Sequence, residues 1–182
     1  TVALSRALRL LAEPPPHCAV VLAANPDGLI RGTRGNARGV DLNRNFPTRD
    51  WLPDPVRHRS TLKEPREVAL SPGSEAGSEP ETRALIALIR ELQPRTVVAL
   101  HAPLACIDDA KGGALARWLA GKTGLPLVPD VGYPTPGSFG TWGGEEGIGV
   151  VTYEFPLADN DALVREHVPV LAELLAGEAS WS

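Results

Sequence analysis

Asn25 to Trp51 reads NPDGLIRGTRGNARGVDLNRNFPTRDW, and the apolar run Ala19 to Ala24 leads directly into it. Glycines and polar side chains thus arrive where a buried strand is expected to end, which is where α/β proteins keep their sites. Asn25-Pro26-Asp27-Gly28 carries turn chemistry, and Gly32, Gly35 and Gly39 let the backbone after it fold tightly. Arg31, Arg34, Arg38 and Arg44 are set into this scaffold beside Asn36, Asn43 and Asn45. A guanidinium binds two oxygens at once and stays charged at any working pH, so such a cluster suits a carboxylate or a developing oxyanion. A solvated basic loop would account equally well for any one of these arginines. An irregular, Gly-rich loop directly after a strand favours binding.

Outward from this stretch, strands and helices alternate. Leu4, Leu8 and Leu11 predict a helix over Thr1 to Leu11, ended by Pro14-Pro15-Pro16, and Ala19 to Ala24 is short and apolar enough for a buried strand. Pro47 to Gly77 shows neither period and reads as a long surface loop, ordered for function or mobile. Ser78-Glu79-Pro80-Glu81 is a helix-start signature with Ser78 as N-cap, and the helix runs to Leu92, burying Leu85, Ile86, Leu88, Ile89 and Leu92. Thr96 to Leu100 is a β-branched strand that delivers His101 at its end. A helix follows over Ala114 to Lys122, then a Gly- and Pro-rich loop from Tyr133 with one helical turn near Trp142 to Glu146. A strand from Gly149 to Phe155 carries Glu154, and an amphipathic helix closes the chain over Asp159 to Leu175. The expected fold is a single α/β domain over residues 1–182, with a mostly parallel, mixed sheet covered by helices on both faces.

The chain has 182 residues, 43% of them hydrophobic, enough for one sizeable core. A net charge of −4 gives no general attraction to nucleic acid or to an anionic membrane, so neither is an expected partner. Cys18 and Cys106 are too few for a disulfide framework or a metal knuckle, which favours a reducing, cytoplasmic setting. No apolar run reaches membrane-spanning length and no signal peptide is visible. The chain begins at Thr1 and contains no methionine, so the translated N-terminus is expected upstream.

His101 and Glu154 stand at the ends of otherwise apolar strands, where a charged group loses hydration and needs a metal, a counter-charge or a catalytic task. A structural, hydrogen-bonded histidine and a glutamate paired with an arginine are the plainer alternatives. With the Arg-rich loop, however, the two make three polar segments at the carboxyl ends of expected strands, which reads as an active site.

The stretches Asn25-Pro26-Asp27-Gly28, Arg34-x-Asn36 and Gly39-Val40-Asp41-Leu42-Asn43-Arg44-Asn45-Phe46 resemble the substrate-binding segment of the zinc carboxypeptidase superfamily. That resemblance implies one zinc ion, held by a His-x-x-Glu pair and by a later histidine that His101 matches. It implies that Glu154, in Thr-Tyr-Glu-Phe-Pro, is the catalytic glutamate, and that Arg34 polarises the scissile carbonyl. Asn43 and Arg44 would grip the terminal carboxylate, and Tyr133 would be the mobile tyrosine over the bound substrate. Zinc with three protein ligands keeps a position for water and brings its pKa towards neutrality, leaving a carboxylate to take the proton.

No His-x-x-Glu occurs in the chain: His17 and His58 lack the glutamate, and His167 lies in the closing helix. The first two zinc ligands and the first strands of the family fold are therefore expected upstream of Thr1, and these residues alone are not expected to hold catalytic zinc. A sheet edge would then be open or covered by another chain, as in a homodimer. The segments around Gly77 to Thr82, His101 to Ile107 and Val131 to Trp142 resemble bacterial murein peptide amidases. Those enzymes cut the γ-D-glutamyl-meso-diaminopimelate bond of murein peptides recycled inside the cell, which makes a murein tripeptide or a related small peptide the implied substrate. A general carboxypeptidase, a deacylase of N-acyl amino acids and a non-catalytic carboxylate-binding remnant are the other readings.

Overall fold

Leucines at helical spacing coil the start of the chain as expected: helix α1 spans Val2–Leu10 and buries Ala7 completely. The computed structural model describes every residue except Thr1, Pro14, Pro16, 61–65 and 178–182, so the expected stop at Pro14 and Pro16 lies outside the described residues. Contacts divide the chain into two compact units, one of Thr1–Leu22, Val98–Val131 and Val151–Ser182, the other of Ala23–Val97 and Gly132–Val150.

The first unit is a sheet with helices. Strands β3 (Thr96–His101), β4 (Leu104–Asp108), β5 (Leu127–Val128) and β6 (Gly149–Pro156) lie in the order β3-β6-β4-β5. β4 runs antiparallel to β6 and parallel to β5, so the sheet is mixed. Helices α4 (Ala114–Thr123) and α6 (Asn160–Ala176) complete it, with Asp159 capping α6 by accepting from the Ala162 N–H. Ile107, Ala116, Leu119, Tyr153 and Leu171 form the centre of its core. Each large apolar side chain removed from water there contributes about 1.5–3 kcal/mol. This core fixes the strand ends that carry His101 and Glu154.

Ala19 to Ala24 is not a strand. The segment is irregular, with bends at Leu22 and Ala24, Val21 and Leu22 are 42% and 44% exposed, and among the described residues no strand pairs with it. An apolar run becomes a strand only where a neighbour takes its backbone N–H and C=O groups. The Arg-rich stretch accordingly does not follow a buried strand.

The second unit holds that stretch. Helix α2 (Pro26–Arg31) starts where a turn was expected: Asn25 caps it by accepting from the Gly28 N–H, and Gly32 ends it in the left-handed conformation. Inside Pro47 to Gly77, strands β1 (Val56–Ser60) and β2 (Arg66–Leu70) pair antiparallel, an ordered ribbon that the aperiodic composition concealed. Helix α3 (Pro80–Leu92) has Glu79, not Ser78, at its N-cap position and no side-chain cap bond there, and Leu92 is exposed rather than buried. Helix α5 (Phe139–Glu145) begins earlier than the turn read near Trp142. Phe46, Ile89 and Trp142 are its buried core, with the Phe46 and Phe139 ring centroids 5.2 Å apart.

In the first unit Tyr153 and His167 form a buried pair, with the phenol oxygen 2.7 Å from Nδ1. Burial lowers the His167 pKa from its ordinary 6.5, against a smaller opposing effect of Glu166. The unfolded chain therefore binds a proton that the folded chain refuses, and the contribution of His167 is complete above about pH 6.5 and declines as pH falls towards the lowered folded value. Urea denaturation at pH 7.5, 6.5 and 5.5 should show a steeper loss of stability below pH 6.5 in the wild type than in His167→Gln; parallel curves would contradict this.

Candidate active site

Two groups of polar side chains stand out, one in each unit. In the second unit a chain of caps and hydrogen bonds presents Arg44. Asp41 caps the short 3-10 helix Leu42–Arg44, accepting from the Asn43 N–H at 3.1 Å, and its other oxygen accepts from Arg34 Nε at 2.8 Å. Asn45 is fully buried, with Nδ2 2.7 Å from Pro72 O and Oδ1 accepting from the Glu79 N–H at 3.1 Å. Asn36 Nδ2 donates to Glu79 Oε2 at 2.7 Å, while its Oδ1 accepts from the N–H groups of Arg38 and Val40. Gly137 has φ of 69°, and a Cβ there would stand 2.3 Å from Arg44 O, so the loop before α5 can close on Arg44 only with glycine at this position.

The Arg44 guanidinium is 1% exposed. Its Nη1 donates to Asn43 O, whereas Nε and Nη2, the two nitrogens of one edge, have no partner among the described residues. Burial lowers the Arg44 pKa and the Arg34 charge adds to this, against Asp41 and a hydrogen bond with Tyr133 that hold the proton on. Asn43 Oδ1 accepts from the Phe139 N–H at 2.8 Å, and because that N–H can only donate, the amide oxygen faces α5 and the amide NH₂ faces away from it. Asp41, Arg34 and Tyr133 are thus brought together around Arg44, with Asn43 next to it. A guanidinium edge without a partner among the described residues, beside an amide NH₂, is the equipment for a carboxylate.

In the first unit, β3 ends at His101 beside β6, which carries Glu154. Glu154 is 6% exposed, Oε2 accepts from the Leu104 N–H at 3.4 Å, and Oε1 lies 3.9 Å from His101 Nδ1. That separation exceeds a hydrogen bond and serves as an ion pair only when the imidazole is protonated. Cys106 pairs across the ladder with Glu154, and its thiol is pushed up to about 11 by burial, then by the charges of Glu154 and Asp108. No group of three His, Cys, Asp or Glu side chains that could hold a metal occurs among the described residues. One imidazole beside one carboxylate falls short of the three or four ligands that zinc takes, so these residues do not make up a zinc site by themselves.

The chain belongs to the zinc carboxypeptidase family. The model of that family matches residues 17–105, from the exposed apolar segment through the arginine cluster to His101. Within the family, murein peptide amidase A of Escherichia coli strain K12 is 46% identical over 175 residues, 96% of this chain and 72% of that protein. The enzyme of the same name from Vibrio campbellii is 43% identical over 176 residues, 94% of this chain and 70% of the relative. The crystal structure of murein-tripeptide amidase from Escherichia coli O157 superposes with a TM-score of 0.83 at 46% identity, over 86% of this chain and 67% of that one. Thrombin activatable fibrinolysis inhibitor shares the fold, with a TM-score of 0.53 at 18% identity, over 77% of this chain and 43% of its own.

Sequence reasoning had singled out Asn45 and Asn36 only as members of the cluster, and it read Asp41 and Glu79 only as parts of motifs. For Asn45, Asn36 and Glu79 the positioning duty depends on partners 27 to 43 residues away. Asn45→Ala would leave Pro72 O and the Glu79 N–H buried without a partner, at about 1–3 kcal/mol each. Chemical denaturation should record a loss of that order, with Asn45→Asp equally harmful because it sets an acceptor against Pro72 O; an unchanged midpoint for both would refute this account.

Proposed function

We propose that this protein hydrolyses the γ-D-glutamyl-meso-diaminopimelate amide bond of murein peptides, in the cytoplasm, as a zinc-dependent amidase. The observation that carries the proposal is the buried Arg44 edge, Nε and Nη2 without a partner, with the Asn43 amide NH₂ turned away from α5 beside it. A fork-shaped donor in a dry place binds a carboxylate on the leaving side of the bond more strongly than any exposed arginine does. Similarity to the murein peptide amidases supplies the substrate class.

In this reading Arg44 and Asn43 hold the terminal carboxylate of the diaminopimelate residue, and Tyr133, now hydrogen-bonded to Arg44, gives way when that carboxylate arrives. Arg34, exposed at 43% of its side chain and anchored through Nε by Asp41, offers its remaining donors to the carbonyl oxygen as that oxygen gains charge. Glu154 takes a proton from the attacking water and passes it to the leaving amine. Its confinement beside the half-buried imidazole of His101 suits a group that changes charge during turnover. His101 would be one of the residues that hold the zinc, which would supply activation of the attacking water. The sequence contains no His-x-x-Glu, so the other ligands are to be sought outside these 182 residues.

In the zinc-loaded enzyme, Glu154→Gln should lower kcat by about 10²–10⁴-fold with KM little changed; turnover near the wild-type rate would remove Glu154 from proton transfer. Arg44→Ala should raise KM for the murein tripeptide and weaken meso-diaminopimelate binding by about 10–100-fold, the worth of a hydrogen-bonded charge. Unchanged binding in calorimetry would place the carboxylate elsewhere.

A further inference from the structure

Arg31 and Arg34 border a cavity of about 400 Å³ in the second unit, closed on its other side by residues 68 to 71 at the end of β2. That volume lies within the range of small-molecule sites, about 300–1,000 Å³. Its walls are held by main-chain bonds: the Asp41 N–H donates to Ser71 O at 2.9 Å, and the Asn36 N–H donates to Val40 O at 2.9 Å. Two guanidiniums face one carboxylate there, and that carboxylate is already engaged, Oδ2 with Arg34 Nε and Oδ1 with the Asn43 N–H. Arg31 is held only through Nη1, which donates to Ala37 O at 3.3 Å, so the rest of its fork has no partner among the described residues. Ser71 Oγ accepts from the Gly73 N–H and keeps its own proton to donate. The surplus is positive, and the open groups are donors.

Arg34 also connects this cavity to the turn that carries Arg44, because it borders the first and its Nε donates to Asp41, which caps the second. A ligand with one carboxylate on the Arg44 fork and another on Arg31 would therefore lie across Arg34. We infer that the cavity between Arg31 and Arg34 is a second carboxylate subsite, which takes the free α-carboxylate that a γ-linked glutamyl residue keeps on the acyl side of the scissile bond. An ordinary α-linked peptide has no backbone carboxylate there, so Arg31 selects the γ-linkage. The inference rests on the amidase reading above and deepens it.

The test is calorimetry with L-alanyl-γ-D-glutamate and with its α-carboxamide, neither of which carries the diaminopimelate carboxylate. The wild type should bind the acid at least about tenfold more tightly than the amide, the effect of one charge-assisted pair. Arg31→Gln should abolish this preference, and Arg31→Lys, which keeps the charge without the fork, should retain part of it. Binding of meso-diaminopimelate should be the same in wild type and Arg31→Gln. Equal binding of acid and amide, or a preference that survives Arg31→Gln, overturns the subsite. If that happens while diaminopimelate still binds through Arg44, the subsite alone fails. A dipeptide preference that depends on Arg31 in a protein that ignores diaminopimelate upholds the subsite and overturns the role given to Arg44. No binding of either probe overturns both.

Discussion

A guanidinium shut away from water loses several kcal/mol of solvation unless its surroundings replace what the solvent provided. Arg44 receives a carboxylate neighbour in Asp41, a carbonyl in Asn43 O and a hydrogen bond with Tyr133, and one edge of its fork is left over. Much of the second unit follows from keeping that arrangement in place. Asp41 must cap the 3-10 turn and hold Arg34 at once, the loop before α5 must carry glycine at 137, and Phe46 must seat the far side of the turn among Phe139, Ile89 and Trp142. A buried charge with spare donors destabilises a fold that has no use for it, which is why the arrangement reads as a receptor for an anion.

The positioning of that receptor is done by amides and one buried acid rather than by a hydrophobic core alone. Asn45, Asn36 and Glu79 connect the Arg-rich stretch to the loop of residues 72–79 and to the start of α3 through bonds that are all enclosed. Enclosed bonds of this kind contribute modestly when made and cost more when broken, so they specify one geometry more sharply than they add stability. In the first unit the division of labour differs. There an apolar core of strand and helix residues carries two ionisable side chains at its edge, and Glu154 keeps one oxygen on the Leu104 N–H and the other towards His101.

Much was legible from periodicity and punctuation. The strands ending in His101 and carrying Glu154, the helix over Ala114 to Lys122 and the closing helix all appear where apolar spacing and breakers put them. Segments whose structure depends on a distant partner were not legible. Leu104–Asp108 is a strand because β6 and β5 flank it, and Val56–Ser60 is one because Arg66–Leu70 returns alongside it. Ala19 to Ala24 shows the converse, an apolar run that stays irregular and largely exposed, with no partner strand among the described residues.

The residue types of the site were set by the sequence itself: arginines and asparagines spaced through a glycine-rich stretch, one histidine and one glutamate at strand ends, and the motif order that marks the family. Local chemistry suffices for that, because side-chain identity and short-range backbone preference are written residue by residue. Tertiary structure alone decided that Arg44 is enclosed while Arg31 and Arg34 face a cavity, that the Asn43 amide NH₂ is turned from α5, and that Glu79 rather than Ser78 stands at the N-cap position of α3. Burial and hydrogen-bond direction are properties of pairs brought together from distant parts of the chain, and no pattern along one segment contains them.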